Sequence, residues 1–449
     1  MVPAVISEIR ATLAVAVPLA AANLAQIAMG VIDTVMVGAL GAVPLAAVGL
    51  GGGIYFTTAV TCQGLLNAVA PLAAFSVGAG DRAAAGRVAG SGLMLAVVLV
   101  VPVVAAMMTA DRLLDGLGYD PALSREIGRF LRAVGWGAPG FLGFAVLRSL
   151  LSALDRARVV MLVLVLCVPT NAGLNWVFIY GHLGMPALGL VGCAYASATT
   201  QWAMLVGLAV AFWALPRGDP AHRLRGSLAG RIADIRRILV LGLPIAGLQA
   251  MEIGVFVTSM LLMGLFGADA LAAHQIAINC ASISFMVPLG IGQAATVRIA
   301  AERGGGRGAA ARQAGLVALG LGVAFMAASA VVLATLPGTI VGAYVATGDP
   351  ANRVLVALAL QFLVIAAIFQ IVDGIQVVAA GALRGYQDTA VPMLLAALGY
   401  WGIGFAGGWL FAFPLKLGPV GLWWGFVLGL GTVALLLTLR LLRRSRHDT

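Results

Sequence analysis

The stretch PLAAANLAQIAMGVIDTVMVGALGAVPLAA, residues 18–47, decides the fold because the chain uses it twice. The second copy, PIAGLQAMEIGVFVTSMLLMGLFGADALAA, occupies residues 244–273 and aligns without a gap at an offset of 226. Two further segments repeat: GDRAAAGR at 80–87 resembles GRGAAARQ at 306–313, and LSALDRARVVM at 151–161 has the length and ends of LRGYQDTAVPM at 383–393. The sequence therefore predicts a chain made of two related halves.

The composition indicates a polytopic membrane protein. Of the 449 residues 61% are hydrophobic and 10% are charged, and the mean hydropathy is +1.04, so there is too little polar surface to coat a water-soluble globule. The net charge of +10 comes from short basic runs between apolar stretches, which argues against nucleic-acid binding. The four cysteines lie inside apolar runs without metal-ligand spacing, and we interpret them as core residues.

Apolar runs of about 20 residues each predict an all-α chain with twelve transmembrane helices. The predicted spans are 12–37, 45–78, 90–110, 127–151, 159–181, 188–214, 238–266, 270–300, 313–345, 354–381, 390–413 and 419–441. One polar stretch, PRGDPAHRLRGSLAGRIADIRR, separates the sixth span from the seventh. We therefore expect an N-lobe at 1–215, a cytoplasmic linker at 216–237 and a C-lobe at 238–449.

The basic residues predict the orientation, because the side that retains arginine and lysine is cytoplasmic. Of the 27 basic residues, 21 fall in one set of alternate connectors; the other set holds only Arg112, Arg125, Arg129, Arg132, Arg353 and Lys416. Both termini are therefore expected in the cytoplasm. Since each half has an even number of spans, the halves share one orientation, and two six-helix bundles are expected to face each other across a central cleft.

Three acidic residues stand out as candidate site residues. Asp33, Glu252 and Asp373 lie within predicted spans with no basic residue nearby in the sequence. A charge at the bilayer centre costs about 2.5 to 3.5 kcal/mol, so such residues usually serve a function. Burial disfavours the charged carboxylate, which suits a group that exchanges a proton for a cation. The alternative is a protonated carboxyl group that only holds two helices together.

The two halves place these charges differently. At the offset of 226, Glu252 corresponds to Gln26 and Asp33 corresponds to Ser259. One half therefore carries a single acid and the other carries two. We hypothesise that a cation and a coupling ion compete for these carboxylates, so that loading one expels the other.

Several long segments carry a resemblance that covers essentially the whole chain. They are residues 18–47, NAGLNWVFIYGHLGMPALGLVGC at 171–193, GLPIAGLQAMEIGVF at 242–256, FGADALAAHQIAINCASISFMVPLGIGQAATVRI at 266–299, and QIVDGIQVVAAGALRGYQDTAVPM at 370–393. Together and in this order they resemble the multidrug and toxic compound extrusion (MATE) transporters, in particular the bacterial NorM-like branch.

The resemblance implies export of cationic, amphipathic compounds across the bacterial inner membrane in exchange for protons or sodium ions, with no other cofactor. It also implies that Asp33, Glu252 and Asp373 are the functional acids, with Asn171 and Asn175 near the first. Sodium at Glu252 and Asp373 stays an alternative to the proton. One difference from the family weakens the sodium alternative: Phe369 lies one turn before Asp373, where sodium-coupled relatives tend to have a tyrosine hydroxyl. We expect a monomer.

Further candidates follow from position on the predicted helices. Pro18 and Pro244 lie inside the first helix of each half, where proline permits a kink, and are candidate hinges or simple kinks. His274 is a lone histidine and is expected to be packed. The candidate cleft-lining residues are Gln26, Asn171, Asn175, Gln249, Ser259, Gln275, Phe369 and Gln376; the aromatic residues considered for a lipophilic cation are Tyr55, Phe56, Phe256, Phe285, Phe369 and Trp401.

Other functions have less support in the sequence. A membrane enzyme lacks support because no HExxH, GxSxG or aspartate-rich metal motif is present, and an ATP-driven pump would need GxxxxGK[ST]. The closer alternative is a flippase or exporter of a lipid-linked or endogenous metabolite. Such a cleft should contain arginines for phosphate, whereas every arginine here falls in or near a predicted connector. We expect a proton gradient alone to drive export.

Overall fold

The computed structural model describes residues 2–116, 118, 120–224 and 226–447, so Arg225 of the predicted linker lies outside the described residues. These residues form helices joined by turns, with no strand among them. Eleven of the described helices are long and apolar enough to cross a membrane. Pro121–Gly135 and Ala138–Ala153 meet at 46° and make a twelfth span if the pair is counted as one. The predicted all-α polytopic fold is confirmed.

Eight helices make up the first half of the chain and eight make up the second. The first eight are α1 Val2–Gly38, α2 Ala42–Leu66, α3 Val69–Gly78, α4 Arg82–Gly116, α5 Pro121–Gly135, α6 Ala138–Ala153, α7 Ala157–Tyr180 and α8 Leu190–Trp213. The second eight are α9 Leu228–Gly264, α10 Ala268–Gly304, α11 Gly308–Thr335, α12 Pro337–Gly342, α13 Arg353–Gly385, α14 Ala390–Ala397, α15 Ala406–Ala412 and α16 Pro419–His447. A π-helix, Leu398–Phe405, joins α14 to α15.

The helix boundaries repeat at the same offset as the sequence. Helices α1 and α9 are both 37 residues long, and their first residues and their last residues are related by the offset of 226. The turns that follow them also match: Gly41 has φ 113° and Gly267 has φ 101°, values that favour glycine because it has no Cβ. The starts of α2 and α10 and of α4 and α11 show the same offset. The predicted duplication is therefore visible in the fold.

The π-helix shifts the correspondence by one residue. Before it, Asp155 and Gln387 both adopt a left-handed conformation, with φ 59° and 57°, at an offset of 232. After it, the backbone carbonyl of Phe178 accepts a hydrogen bond from Leu188 N, and the carbonyl of Phe411 accepts one from Leu417 N. The two acceptor residues lie 233 positions apart. A π-turn accommodates one extra residue within a helix, so the second half carries a single inserted residue between 398 and 405.

The chain divides into two compact units. The C-unit comprises residues 1–20 and 247–449, and the N-unit comprises residues 21–246. The two divisions, which follow Ala20 and Ala246, are again related by the offset of the repeat. These units divide the chain at other residues than the predicted lobes, whose boundaries stay a prediction.

The polar linker packs within the N-unit. The Asp219 carboxylate caps the turn Pro220–His222 and accepts two hydrogen bonds from the Arg82 guanidinium, at 2.7 and 3.1 Å. The Arg82 bond lowers the pKa of Asp219. A Cβ on Gly86 or Gly90 would collide with the carbonyl oxygens of Ala221 and Leu224, so glycine lets the linker lie directly on α4.

Candidate functional site

The N-unit contains an acidic site around Asp33. The C-terminal part of α1 places Asp33 opposite α7 and α8, where its two carboxylate oxygens accept 2.6 Å hydrogen bonds from Asn175 Nδ2 and Ser197 Oγ. Asn171 lies one turn before Asn175 and accepts a 3.3 Å bond from the same amide nitrogen. The i,i+4 spacing thus places Asn171 beside Asn175, whose amide bonds the carboxylate.

Only neutral groups hold Asp33. Its hydrogen-bond donors are an amide and a hydroxyl, and within the described residues no ion pair reaches it. Neutral donors stabilise a carboxylate without neutralising its charge, so the group keeps its attraction for a proton or an organic cation.

The C-unit contains a second site in which two acids share one amide. Helix α9 supplies Glu252, and α13 supplies Asp373 and Gln376. The Gln376 Nε2 group donates to Glu252 Oε1 at 3.2 Å and to Asp373 Oδ1 at 3.3 Å. Asp373 is 5% exposed, and Glu252 is half-buried. Two carboxyl groups this close favour a state in which the pair retains a proton or binds a cation.

Tyr400 fixes the orientation of the shared amide. Its hydroxyl lies on the π-helix and donates to Gln376 Oε1 at 2.9 Å. Because the amide oxygen is engaged there, the amide nitrogen faces Glu252 and Asp373. Sequence reasoning missed both Tyr400 and Ser197, since a hydroxyl on an apolar helix looks like any packed side chain until its partner is known.

Two arginines interact with polar side chains inside the helix bundles. Arg148, inside α6, is 8% exposed and donates to Asn23 Oδ1 at 2.6 Å and to Gln26 Oε1 at 3.5 Å. Arg384, on the helix of Asp373, interacts electrostatically with Glu252. Arg148 lies near the end of α6, as expected, but its long side chain is buried and reaches across to α1.

The remaining candidates have varied environments. Phe369 is 2% exposed and packs against Phe256, Trp423 and Phe426 in the C-unit. Gln275 is exposed and donates to Asn279 Oδ1 at 3.3 Å. His274 is buried beside Trp423, as expected for a packed histidine. Their roles in binding stay predictions, as do those of Gln26 and the half-buried Gln249.

The two candidate hinge prolines occupy matching positions. Pro18 and Pro244 lie inside the continuous helices α1 and α9. Each stands just before the point at which its helix passes from one compact unit to the other. A missing backbone hydrogen bond at that point makes bending there easier than elsewhere in the helix.

The chain is similar to known proteins in sequence and in fold over nearly its full length. A family model described as MatE matches residues 18–177 and 244–410, beginning at the proline of each copy. The chain is 42% identical over 442 residues to a probable multidrug resistance protein NorM of Mesorhizobium japonicum, covering 98% of this chain and 94% of that one. It is 44% identical over 436 residues to a probable multidrug resistance protein NorM of Burkholderia mallei, covering 97% and 92%. Its fold matches the crystal structure of the eukaryotic MATE transporter AtDTX14 with a TM-score of 0.88 at 19% identity, covering 99% of each chain.

Proposed function

The chain belongs to the MatE family of multidrug efflux transporters, and from that premise we propose that it exports amphipathic organic cations in exchange for protons. The observation that supports this most is the character of the two acidic sites. Asp33 has neutral partners only, and Glu252 and Asp373 share one neutral amide. Buried carboxyl groups in such surroundings attract both a proton and a lipophilic cation.

In this proposal a proton and a drug compete for the same carboxylates. A proton that binds Asp33 or the Glu252–Asp373 pair removes the negative charge that attracts the drug, and a bound drug makes the proton easier to release. Because each ligand excludes the other, the movement of protons into the cell is coupled to export. The apolar surroundings of the acids suit a substrate with both a positive charge and a hydrophobic body.

The contacts of Gln376 favour the proton over sodium. The amide faces the acids with its N–H groups, which attract carboxylates and repel a metal cation. Phe369, one turn before Asp373, packs in an aromatic cluster and offers no oxygen, and the Tyr400 hydroxyl donates to Gln376. A sodium ion prefers a full shell of oxygens, whereas a proton needs only the carboxylate itself.

The energetics limit the stoichiometry. If one proton is exchanged for one monovalent cation, only the pH gradient contributes, about 1.4 kcal/mol per pH unit, which is about tenfold accumulation. A second proton adds the membrane potential, about 2.3 kcal/mol per 100 mV. Three acids in two sites make exchange of two protons feasible for this chain.

The proposed setting is the bacterial inner membrane, with both termini in the cytoplasm and the chain acting as a monomer. The apolar helices establish a multi-pass membrane protein. The orientation is supported by the basic connectors, because 21 of the 27 lysines and arginines fall on the side assigned to the cytoplasm.

Efflux from everted vesicles tests the coupling. We expect an imposed pH gradient, without sodium, to drive accumulation of a fluorescent cationic dye, because the acids provide proton sites and no sodium shell. Vesicles with a sodium gradient and no pH gradient serve as the control. Transport that requires sodium would contradict proton coupling and leave the family assignment intact.

The alternative is export of a lipid-linked or endogenous metabolite with phosphate groups. The buried Arg148 is the observation in its favour, since guanidinium groups bind phosphate. The buried acids argue for cations. Binding of a cationic dye and of an anionic lipid phosphate by the purified protein, measured side by side, decides between the two.

A further inference from the structure

A small, partly enclosed cavity in the C-unit is lined by Tyr400, whose hydroxyl bonds the amide that the acid pair shares. Glycines and apolar side chains form most of its wall, and the only polar side chains that line it are those of Ser259 and Tyr400. The other lining residues are Val255, Gly404, Phe405, Gly408, Leu422, Gly425, Phe426, Gly429 and Leu430. It has space for about one water molecule.

This cavity is the counterpart, in the second half, of the Asp33 site. Ser259 corresponds to Asp33 at the offset of 226. Gly408 corresponds to Asn175 at the offset of 233 that follows the π-helix. The glycines that precede α8 and α16, Gly189 and Gly418, share a left-handed φ of 56° and 61° and lie 229 apart.

At that offset of 229, Phe426 corresponds to Ser197. The three residues that replace Asp33, Asn175 and Ser197 therefore all line the cavity. A carboxylate, an amide and a hydroxyl have become a shorter hydroxyl, a bare glycine backbone and an aromatic ring. The cavity is the space that the missing carboxylate and amide leave.

A hydroxyl without a protein partner faces this space. Ser259 is 4% exposed and lines the cavity, and its hydroxyl forms no hydrogen bond with any described residue. Its oxygen is still reachable by water, and a hydroxyl in such a place is usually satisfied by a water molecule. The Tyr400 hydroxyl has donated its only proton to Gln376 and keeps free lone pairs, so it is able to accept a hydrogen bond.

We propose that this cavity binds one ordered water molecule, which bonds the hydroxyls of Ser259 and Tyr400 and thereby orients the shared amide of the acid pair. The water donates to Tyr400 Oη, Tyr400 donates to Gln376 Oε1, and Gln376 donates to Glu252 and Asp373. Hydrogen bonds that follow one another in the same direction polarise one another. The water therefore strengthens the bonds that Gln376 donates to Glu252 and Asp373. Ser259, Tyr400 and Gln376 are positioning residues in this arrangement, whose effect on export rests on the proposed function.

X-ray radiolytic labelling of the purified full-length protein tests the water directly, because hydroxyl radicals formed from a bound water modify the side chain beside it. Tyr400 is 1% exposed, so labelling there reports the internal water and not bulk solvent. Ser259→Val and Ser259→Thr add side chains of equal size and differ in the hydroxyl alone. We expect Ser259→Val to lower the labelling of Tyr400 about fivefold to tenfold, the change in population that follows loss of one hydrogen bond, and Ser259→Thr to retain it.

Two controls accompany this comparison. Ser284→Val removes a hydroxyl that bonds only carbonyls of its own helix and should leave Tyr400 labelling unchanged. Labelling of Tyr344, which is 44% exposed in the turn after α12, reports bulk solvent and should be equal in all variants. Absence of labelling at Tyr400 in the unmodified protein, or equal labelling in Ser259→Val and Ser259→Thr, overturns the proposal.

Binding of tetraphenylphosphonium by the same proteins tests the positioning role. Ser259→Val should weaken binding by about threefold to tenfold, and Ser259→Thr should restore it, as expected for one hydrogen bond in a polarised chain. Equal binding by the two variants contradicts this role. The labelling result does not depend on the coupling ion. If Tyr400 is labelled and efflux requires sodium, the bound water is supported and proton exchange is refuted. If Tyr400 is not labelled and a pH gradient drives efflux, the bound water is refuted and proton exchange is supported.

Discussion

At the scale of single residues, the two acidic sites differ in how their charge is held. Asp33 receives a hydrogen bond on each oxygen from Asn175 and Ser197, whereas Glu252 and Asp373 compete for one amide. A carboxylate with two short bonds is well satisfied as an anion, and a pair that shares a donor is not. The two sites therefore offer a cation different surroundings: one carboxylate bonded at both oxygens, and two carboxyl groups joined through one amide.

Neutral substitutions test the role of these acids. Asp33→Asn, Glu252→Gln and Asp373→Asn should each abolish export, because each removes an ionisable group at which a cation and a proton exchange. The measurement is dye efflux and drug resistance in cells that contain equal amounts of each variant in the membrane. Asp269→Asn, at an exposed position on α10, is the matched control and should export normally. Normal resistance in all three variants would show that the acids are structural.

The residue scale also shows where sequence reasoning stops. The three acids are identifiable because an unpaired charge in an apolar run is rare, and the asparagine pair follows from helical spacing. Ser197 and Tyr400 give no such signal, because their partners lie 164 and 24 residues away along the chain. The position of Arg148 near a helix end was predictable, but its contact with Asn23 was not, because the sequence does not give the direction in which a long side chain extends.

At the scale of helices, glycine residues lie where two helix backbones come closest together. A Cβ on Gly381 of α13 would collide with the carbonyl oxygen of Gly292 on α10, and Thr296 Oγ1 donates to the Gly381 carbonyl at 2.7 Å. Small residues of this kind let membrane helices approach closely enough for backbone contacts. The fourth predicted span, 127–151, is one apolar run, but the chain bends by 46° between α5 and α6 at Trp136–Gly137, just before Pro139 in the first turn of α6.

Gly381→Ala tests the helix contact. We expect it to lower the free energy of unfolding by about 1 to 3 kcal/mol, since α10 and α13 must separate to admit the methyl group. Thermal unfolding in detergent, followed by the fraction of protein that stays monodisperse, measures the loss. Gly320→Ala is the control, because a Cβ there meets nothing within 4 Å, and a similar shift in both variants would contradict the explanation.

At the scale of the whole molecule, the duplication determines more than the number of helices. The ends of α1 and α9, the glycine turns after them and the divisions between the compact units all recur at the offset of the sequence repeat. This much was predictable, because a repeated sequence implies a repeated fold. The π-helix was not, because one inserted residue leaves the apolar pattern of the helix unchanged. The sequence shows that Ser259 replaces Asp33, but not that Gly408 and Phe426 line one cavity with it.

The hinge prolines make a prediction at this scale. Pro18→Ala and Pro244→Ala restore a backbone hydrogen bond where each helix passes between the units, and should therefore slow turnover while leaving dye affinity unchanged. Initial efflux rates and equilibrium binding, measured on the same preparations, separate the two effects. Pro102→Ala, in α4 of the N-unit, is the matched control. Unchanged efflux rates in both variants would assign these prolines to static kinks.

The division of α1 and α9 between the units also constrains how the protein is made. The segment Met1–Ala20 leaves the ribosome early, yet the compact unit to which it belongs is completed by Gly247–Thr449. That N-terminal segment therefore meets its partners only after the chain has been made as far as α10, where Arg298 pairs with Glu8. The first helix to be made is thus among the later ones to reach its final contacts.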